Sequence, residues 1–203
     1  MILRDLPDEP WSIAEWLRKR PIPGVRDVSA SYETIGIYFE PGAQIIDSIT
    51  RQIESWSPPS APVPKRHRIP VCYEMGEDIA EAAQSLNLSV EDVATLHVSQ
   101  EYRCFAVGFC PGFGYLGWLP ERLSGVPRRP SPRVRVEPGS IGITGRQTAA
   151  YPLSTPGGWS LIGRSPLILV DVEDSFFPIS AGDRVQFFAI DEAEFRRLEG
   201  ERL

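Results

Sequence analysis

Hydrophobic and polar positions alternate along the chain in two periods, and the change of period marks out its elements. Ile13, Trp16 and Leu17 share one helical face, which predicts an amphipathic helix over residues 11–19. Pro21-Ile22-Pro23-Gly24 ends it, because neither Pro nor Gly continues a helix. Residues 25–31 and 34–39 read as two strands, the second with Ile35, Ile37 and Phe39 on one side. Glu40-Pro41-Gly42 makes a turn. Residues 43–56 then return to helical spacing through Ile46, Ile49, Ile53 and Trp56. The first segment is therefore α-β-β-α. Residues 57–65 follow with four prolines, which remove amide donors and hold the backbone extended. A domain boundary is expected there.

Beyond it, residues 68–73 read as a strand and 77–86 as a helix. Ser89 and Asp92 form a capping-box-like start for a second helix ending near His97. Residues 102–109 are a strand. Short β-like runs at 140–144, 167–172 and 184–190 are separated by turns, as in a barrel or sandwich. Residues 191–203 look like a solvated terminal helix. The fold class expected is an α+β domain over residues 1–62, followed by a mainly β domain over residues 66–203.

Composition changes the picture by exclusion. A net charge of -6 argues against a nucleic-acid partner, whose binding surface needs a basic excess. Lys19 and Lys65 are the only lysines and neither lies near a serine-rich loop, so a Ser–Lys amidase centre is not expected. Cys72, Cys104 and Cys110 contain no CxxC pair and read as reduced thiols of a cytoplasmic protein. No metal site is expected, since HExxH and CxxC patterns are missing. No signal-peptide pattern occurs, and no apolar run approaches the roughly 20 residues of a membrane span. There is neither a GxxxxGK[ST] phosphate loop nor a GxSxG nucleophile elbow. Residues 112–117 match GxGxxG literally, but Trp118-Leu119-Pro120 follows in place of a helix, so a tight turn with aromatic packing is the better reading.

The chemistry that remains concentrates in residues 108–163, which hold eleven of the seventeen glycines and eight prolines. Such density predicts loops rather than regular strands. Phe109, Phe113, Tyr115, Trp118, Tyr151 and Trp159 are interleaved among them. Residue types alone leave a ligand groove and a self-packed barrel rim equally open. The order of the motifs is more specific. Residues 108–117 (GFCPGFGYLG) resemble the GFxPGFxYLG motif of the KipI family, which also contains the 5-oxoprolinase B subunits and allophanate hydrolase subunit 1. Pro132-Arg133, residues 138–143 (PGSIGI), 145–148 (GRQT), Tyr151-Pro152, 155–159 (TPGGW), 162–164 (IGR) and 182–185 (GDRV) follow the family's order. Residues 69–73 (IPVCY) resemble its IPVxY strand, and His97 falls at its helix-end histidine. The match is strong over residues 69–190 and weak before them. Gly114 stands where the family usually has Pro, and Thr155 where it has Ser.

The resemblance implies a cyclophilin-like β-barrel after a small ferredoxin-like α+β domain, here without the family's N-terminal strand. It implies the B subunit of an ATP-dependent 5-oxoprolinase that opens 5-oxo-L-proline to L-glutamate with A and C subunits. This chain would bind no cofactor alone, and ATP would belong to the complex. Alternative roles are a KipI-like inhibitor of a sensor histidine kinase, or a urea carboxylase or allophanate-related subunit. The substrate or partner groove would draw on Phe113, Tyr115, Arg133, Gln147, Thr155, Trp159 and Arg164. Gln147 offers a donor and an acceptor, and Arg133 a planar fork for a carboxylate or phosphate. Gln147 could equally brace the barrel rim, whereas Arg133 belongs to a local basic cluster with Arg122, Arg128, Arg129 and Arg135, most of which read better as a solvated arginine-rich loop. His97 is a candidate proton carrier by its intrinsic pKa, with a packing role as the alternative. The opening of a stable amide needs activation, and no nucleophile–base pair is evident in this chain, so the missing groups are expected on a partner.

Overall fold

The computed structural model describes residues 1–6, 9–57 and 63–203. The proline-rich stretch read as a linker falls mostly on residues 58–62, outside the described residues. The chain divides into two compact units, Met1–Pro64 and Lys65–Leu203.

The first unit runs β1 (Ile2–Leu3), α1 (Pro10–Arg18), β2 (Val25–Ser31), β3 (Thr34–Phe39) and α2 (Ile46–Glu54). Its antiparallel sheet has the order β1-β3-β2. The alternation seen in sequence buries Val28 and Ala30 of β2 with Ile35 and Ile37 of β3. Ile13, Trp16 and Leu17 of α1 and Ile49 of α2 are buried with them. Pro10 opens α1, where a missing amide costs no helical hydrogen bond. The expectation that the N-terminal strand is missing is corrected: β1 is present but only two residues long, with Ile2 opposite Gly36. Two residues are too few to show a period, which is why the pattern alone did not reveal it.

The second unit contains β4 (Arg66–Val71), α3 (Ile79–Ser85), α4 (Val90–Val98), β5 (Glu101–Val107), β6 (Gly114–Gly117), β7 (Arg133–Val136), β8 (Ser140–Thr144), β9 (Gln147–Ala150), β10 (Thr155–Gly157), β11 (Ser160–Arg164), β12 (Arg184–Ala189) and α5 (Glu192–Leu198). Seven of these strands form one sheet in the order β11-β8-β9-β6-β5-β12-β4. All neighbours are antiparallel except the β12–β4 pair. The two end strands meet through paired backbone hydrogen bonds between Cys72 and Arg164, of 2.8 and 3.0 Å, so the sheet is a nearly closed barrel. Joining the edges leaves few unpaired amides to template aggregation. Ile69, Val71, Tyr102, Cys104, Leu116, Ile141, Ile143, Val185 and Phe187 belong to its main core. Strands β7 and β10 form a separate two-stranded ribbon.

The capping box at α4 is present: Ser89 Oγ accepts from the Asp92 amide at 3.0 Å, and Asp92 Oδ2 accepts from the Ser89 amide at 3.1 Å. Two expectations are corrected. Residues 167–172 form no strand; they make isolated bridges, Ile168 with Arg202 and Asp171 with Phe176, while Leu169 and Val170 are buried by packing. Residues 108–163, expected as loops apart from the run at 140–144, hold β6 through β11, with β8 falling on that run. Glycine there does not break the strands; it admits neighbouring backbone and rings.

Candidate functional site

A groove of about 280 Å³ lies on the second unit, and its floor is aromatic. Phe113 is the hub. Its ring centroid lies 5.3 Å from Phe109, 5.0 Å from Tyr115, 5.2 Å from Tyr151 and 5.6 Å from Trp159, with interplanar angles of 69–82°. These are edge-to-face contacts, which match the positive ring edge to the negative face. The local sequence makes this arrangement possible. Gly112 has φ +73°, and a Cβ there would lie 2.1 Å from Val170 Cγ2. Gly142 leaves the sheet surface bare, so that Tyr151 and Trp159 approach to 3.1 Å of where its Cβ would stand. Phe109, 61% exposed, stands at the edge of this cluster.

The polar rim is organised by Asp78, which precedes α3 and is only 5% exposed. Its Oδ1 accepts from Arg129 Nη1 at 2.9 Å and from Arg133 Nη2 at 2.6 Å. Its Oδ2 accepts from the Leu161 amide at 2.7 Å, and its own amide donates to Leu161 O at 2.8 Å. Hydrogen bonds to a charged group contribute roughly 1.5–3 kcal/mol each. The Arg129 amide also donates to Gly158 O at 2.7 Å, tying the arginine-rich segment to the turn between β10 and β11. Arg133 further pairs with Glu77 at 3.3 Å. The hydrogen bond to Asp78, with the nearby charges of Asp78 and Glu77, raises its pKa above the ordinary arginine value.

The structure brings Phe113, Tyr115 and Trp159 together as groove walls. Thr155 opens β10 beside the groove residue Pro156, with its Oγ1 buried and without a hydrogen-bond partner among the described residues. Arg133 does not line the groove, because Asp78 and Glu77 hold its guanidinium. Gln147 opens β9 opposite Gly117 of β6. Arg164 lies at the barrel seam, where its backbone pairs with Cys72. Neither of these two lines the groove. Sequence reasoning singles out neither Asp78 nor Arg128. Asp78 reads as one acid among several before a helix, and Arg128 as one arginine of a basic loop. Arg128 lines the groove directly and, among the described residues, has no hydrogen-bond or ion-pair partner. Burial raises the pKa of the Tyr151 hydroxyl and of the Cys110 thiol, so both stay protonated at neutral pH.

His97 is fully buried. Its Nδ1 lies 2.6 Å from Tyr73 Oη and its Nε2 2.9 Å from Thr148 Oγ1. Thr148 gives its own hydroxyl proton to Gly142 O at 3.2 Å, so the network assigns Nε2 as donor and Nδ1 as acceptor. The ring also stacks on Phe187 with centroids 4.5 Å apart. Burial lowers its pKa to about 3. A neutral, fully buried imidazole thus sits between two hydroxyls inside the barrel, and it is not among the residues that line the groove.

Comparison with known proteins places this geometry. The carboxyltransferase domain, subdomain C and D, matches residues 2–177. The chain is 33% identical to the 5-oxoprolinase B subunit of Bacillus subtilis, over 93% of this chain and 85% of that protein. It is 40% identical to the 5-oxoprolinase B subunit of Escherichia coli O157:H7, over 87% of this chain and 83% of that one. The solved structure of TTHA0988 superposes with a TM-score of 0.82 at 33% identity, covering 94% of this chain. The match spans about two fifths (40%) of that longer chain. The urea amidolyase of Kluyveromyces lactis shares the fold alone, at 14% identity and a TM-score of 0.67 over 92% of this chain and 13% of its own. The extent of the family match, and the identity sustained across most of both bacterial relatives, make this chain a member of the carboxyltransferase subdomain C and D family that includes the 5-oxoprolinase B subunits.

Proposed function

We propose that this chain is the B subunit of an ATP-dependent 5-oxoprolinase, acting in the cytoplasm with A and C subunits to open 5-oxo-L-proline to L-glutamate. The observation that carries the reading is the arginine-rimmed aromatic groove in a chain one third or more identical to proteins of that name. A five-membered lactam with a carboxylate is compact, flat and anionic, and the groove offers a flat apolar floor with a cation at its edge. We read the barrel as cyclophilin-like, with the groove on its outer surface. Three unpaired thiols, Cys72, Cys104 and Cys110, suit a reducing compartment.

The chemistry explains the need for partners. A lactam carbonyl resists water. Phosphorylation of the lactam oxygen by ATP releases ADP and makes the ring carbon electrophilic. Water adds there, the C–N bond breaks and the nitrogen takes a proton, and a second water hydrolyses the resulting acyl phosphate to carboxylate and phosphate. The groove has room for a compact ring and a cation for its carboxylate, but its Tyr151 and the neighbouring Cys110 are held protonated and offer no base beside a nucleophile. ATP and the proton-transfer groups are therefore assigned to the A and C subunits. The urea-related alternative rests on a shared fold only.

Co-expression with the A and C subunits of the same organism tests the reading. We expect 5-oxoproline-dependent release of ADP and glutamate that requires all three chains. The same rate from A and C alone, or none from the three together, overturns it.

A further inference from the structure

We infer that Arg128 is the residue that reads the anionic group of the groove's ligand, so that the site selects small ring-bearing carboxylates over their neutral counterparts; this rests on the reading of the groove as the lactam site. Arg128, Arg129 and Arg133 border this part of the fold, and the charges of the last two are already paired. Arg129 and Arg133 both donate to Asp78, and they pair further with Glu81 and Glu77. Arg128 lines the same groove with no hydrogen-bond or ion-pair partner among the described residues, and no acidic side chain lines it. An uncompensated guanidinium beside apolar walls gives the groove a positive end, in a chain whose net charge is -6.

Three observations specify the ligand. The planar fork of a guanidinium matches a carboxylate with two parallel hydrogen bonds. The floor of Phe113, Tyr115 and Trp159 accepts a ring. A volume of about 280 Å³ lies at the small end for ligand pockets, so the ring must be compact. The loop carrying Arg128 is held in place before any ligand arrives: the adjacent Arg129 is fixed at its amide by Gly158 and at its guanidinium by Asp78. Arg128 also sits within electrostatic reach of the Tyr151 hydroxyl, where its positive charge opposes the effect of burial.

Titration of the full chain with 5-oxo-L-proline, 2-pyrrolidinone and cyclopentanecarboxylate, followed by calorimetry and by Trp159 fluorescence, tests the inference. Both carboxylates should bind the unmodified chain roughly tenfold or more tightly than 2-pyrrolidinone, as a charge-assisted pair implies. Arg128→Gln should weaken both carboxylates by roughly ten- to a hundredfold and leave 2-pyrrolidinone unchanged. Arg128→Lys should recover part of the loss. Arg128 is exposed and outside the Asp78 network, so the variants should keep the fold, with unchanged circular dichroism as the control. Equal 5-oxoproline affinity in both forms overturns the inference and leaves the lactam reading standing. Arg128-dependent binding of cyclopentanecarboxylate without binding of 5-oxoproline does the reverse. Failure of the full chain to bind either carboxylate at tens of millimolar also overturns it.

Discussion

At the scale of single residues, burial decides what a side chain can do. His97 is protonated in the unfolded chain below its ordinary pKa of 6.5, whereas burial in the barrel lowers the folded value to about 3. Because the folded pKa is the lower one, its neutral form contributes stability in full above pH 6.5. That contribution is lost as the pH falls from 6.5 toward 3. At about 1.4 kcal/mol per pH unit, this group alone should remove about 2 kcal/mol between pH 7 and pH 5. Urea unfolding of the natural chain and of His97→Gln at both pH values checks this. The variant should be less stable at pH 7 but should lose about 2 kcal/mol less on acidification; parallel losses would sink the account. The residue type and its place at a helix end were legible in sequence. Its role was not, because that is set by Thr148, fifty-one positions away across the barrel. Arg133 is the same case: its fork is visible in sequence, but Asp78, fifty-five positions away, is what occupies it.

At the scale of elements, helices were more legible than strands. The faces through Ile13, Trp16 and Leu17, and the cap at Ser89, are local properties, and each expected helix is found with its ends shifted by a few residues. Of strands β6 to β11 only β8 was legible, at residues 140–144; the others were obscured because the glycines in and around them mimic loop composition. Gly157 shows why glycine is needed within a strand. A Cβ there would lie 2.6 Å from Tyr151 Oη and 2.9 Å from Val136 Cγ2. Tyr151 is 1% exposed and cannot swing aside. Gly157→Ala should therefore push the β7–β10 ribbon off the groove wall and cost about 1–3 kcal/mol. At Gly108 a Cβ would meet nothing within 4 Å, so Gly108→Ala should stay within about 0.5 kcal/mol of the natural chain. Thermal unfolding of the two variants side by side checks the contrast. Equal losses would mean that glycine serves chain flexibility here rather than close approach.

At the scale of the whole molecule, the proline-rich stretch suggested a boundary and the chain clusters into Met1–Pro64 and Lys65–Leu203, while the barrel's closure was not legible. Closure depends on β4 meeting β11 through Cys72 and Arg164, residues ninety-two positions apart, and no local pattern encodes that pairing. Once closed, the barrel carries its own core, its own buried histidine network and every residue of the groove. Residues 65–203 expressed alone should therefore fold and keep the groove. Their tryptophans are Trp118 and Trp159, the latter in the groove wall, so near-ultraviolet circular dichroism reads the site directly. We expect a fixed near-ultraviolet signal, a single cooperative urea transition and Arg128-dependent binding of a small carboxylate. A fragment with strand content but no near-ultraviolet signal would show that the barrel cannot fix its aromatic packing alone.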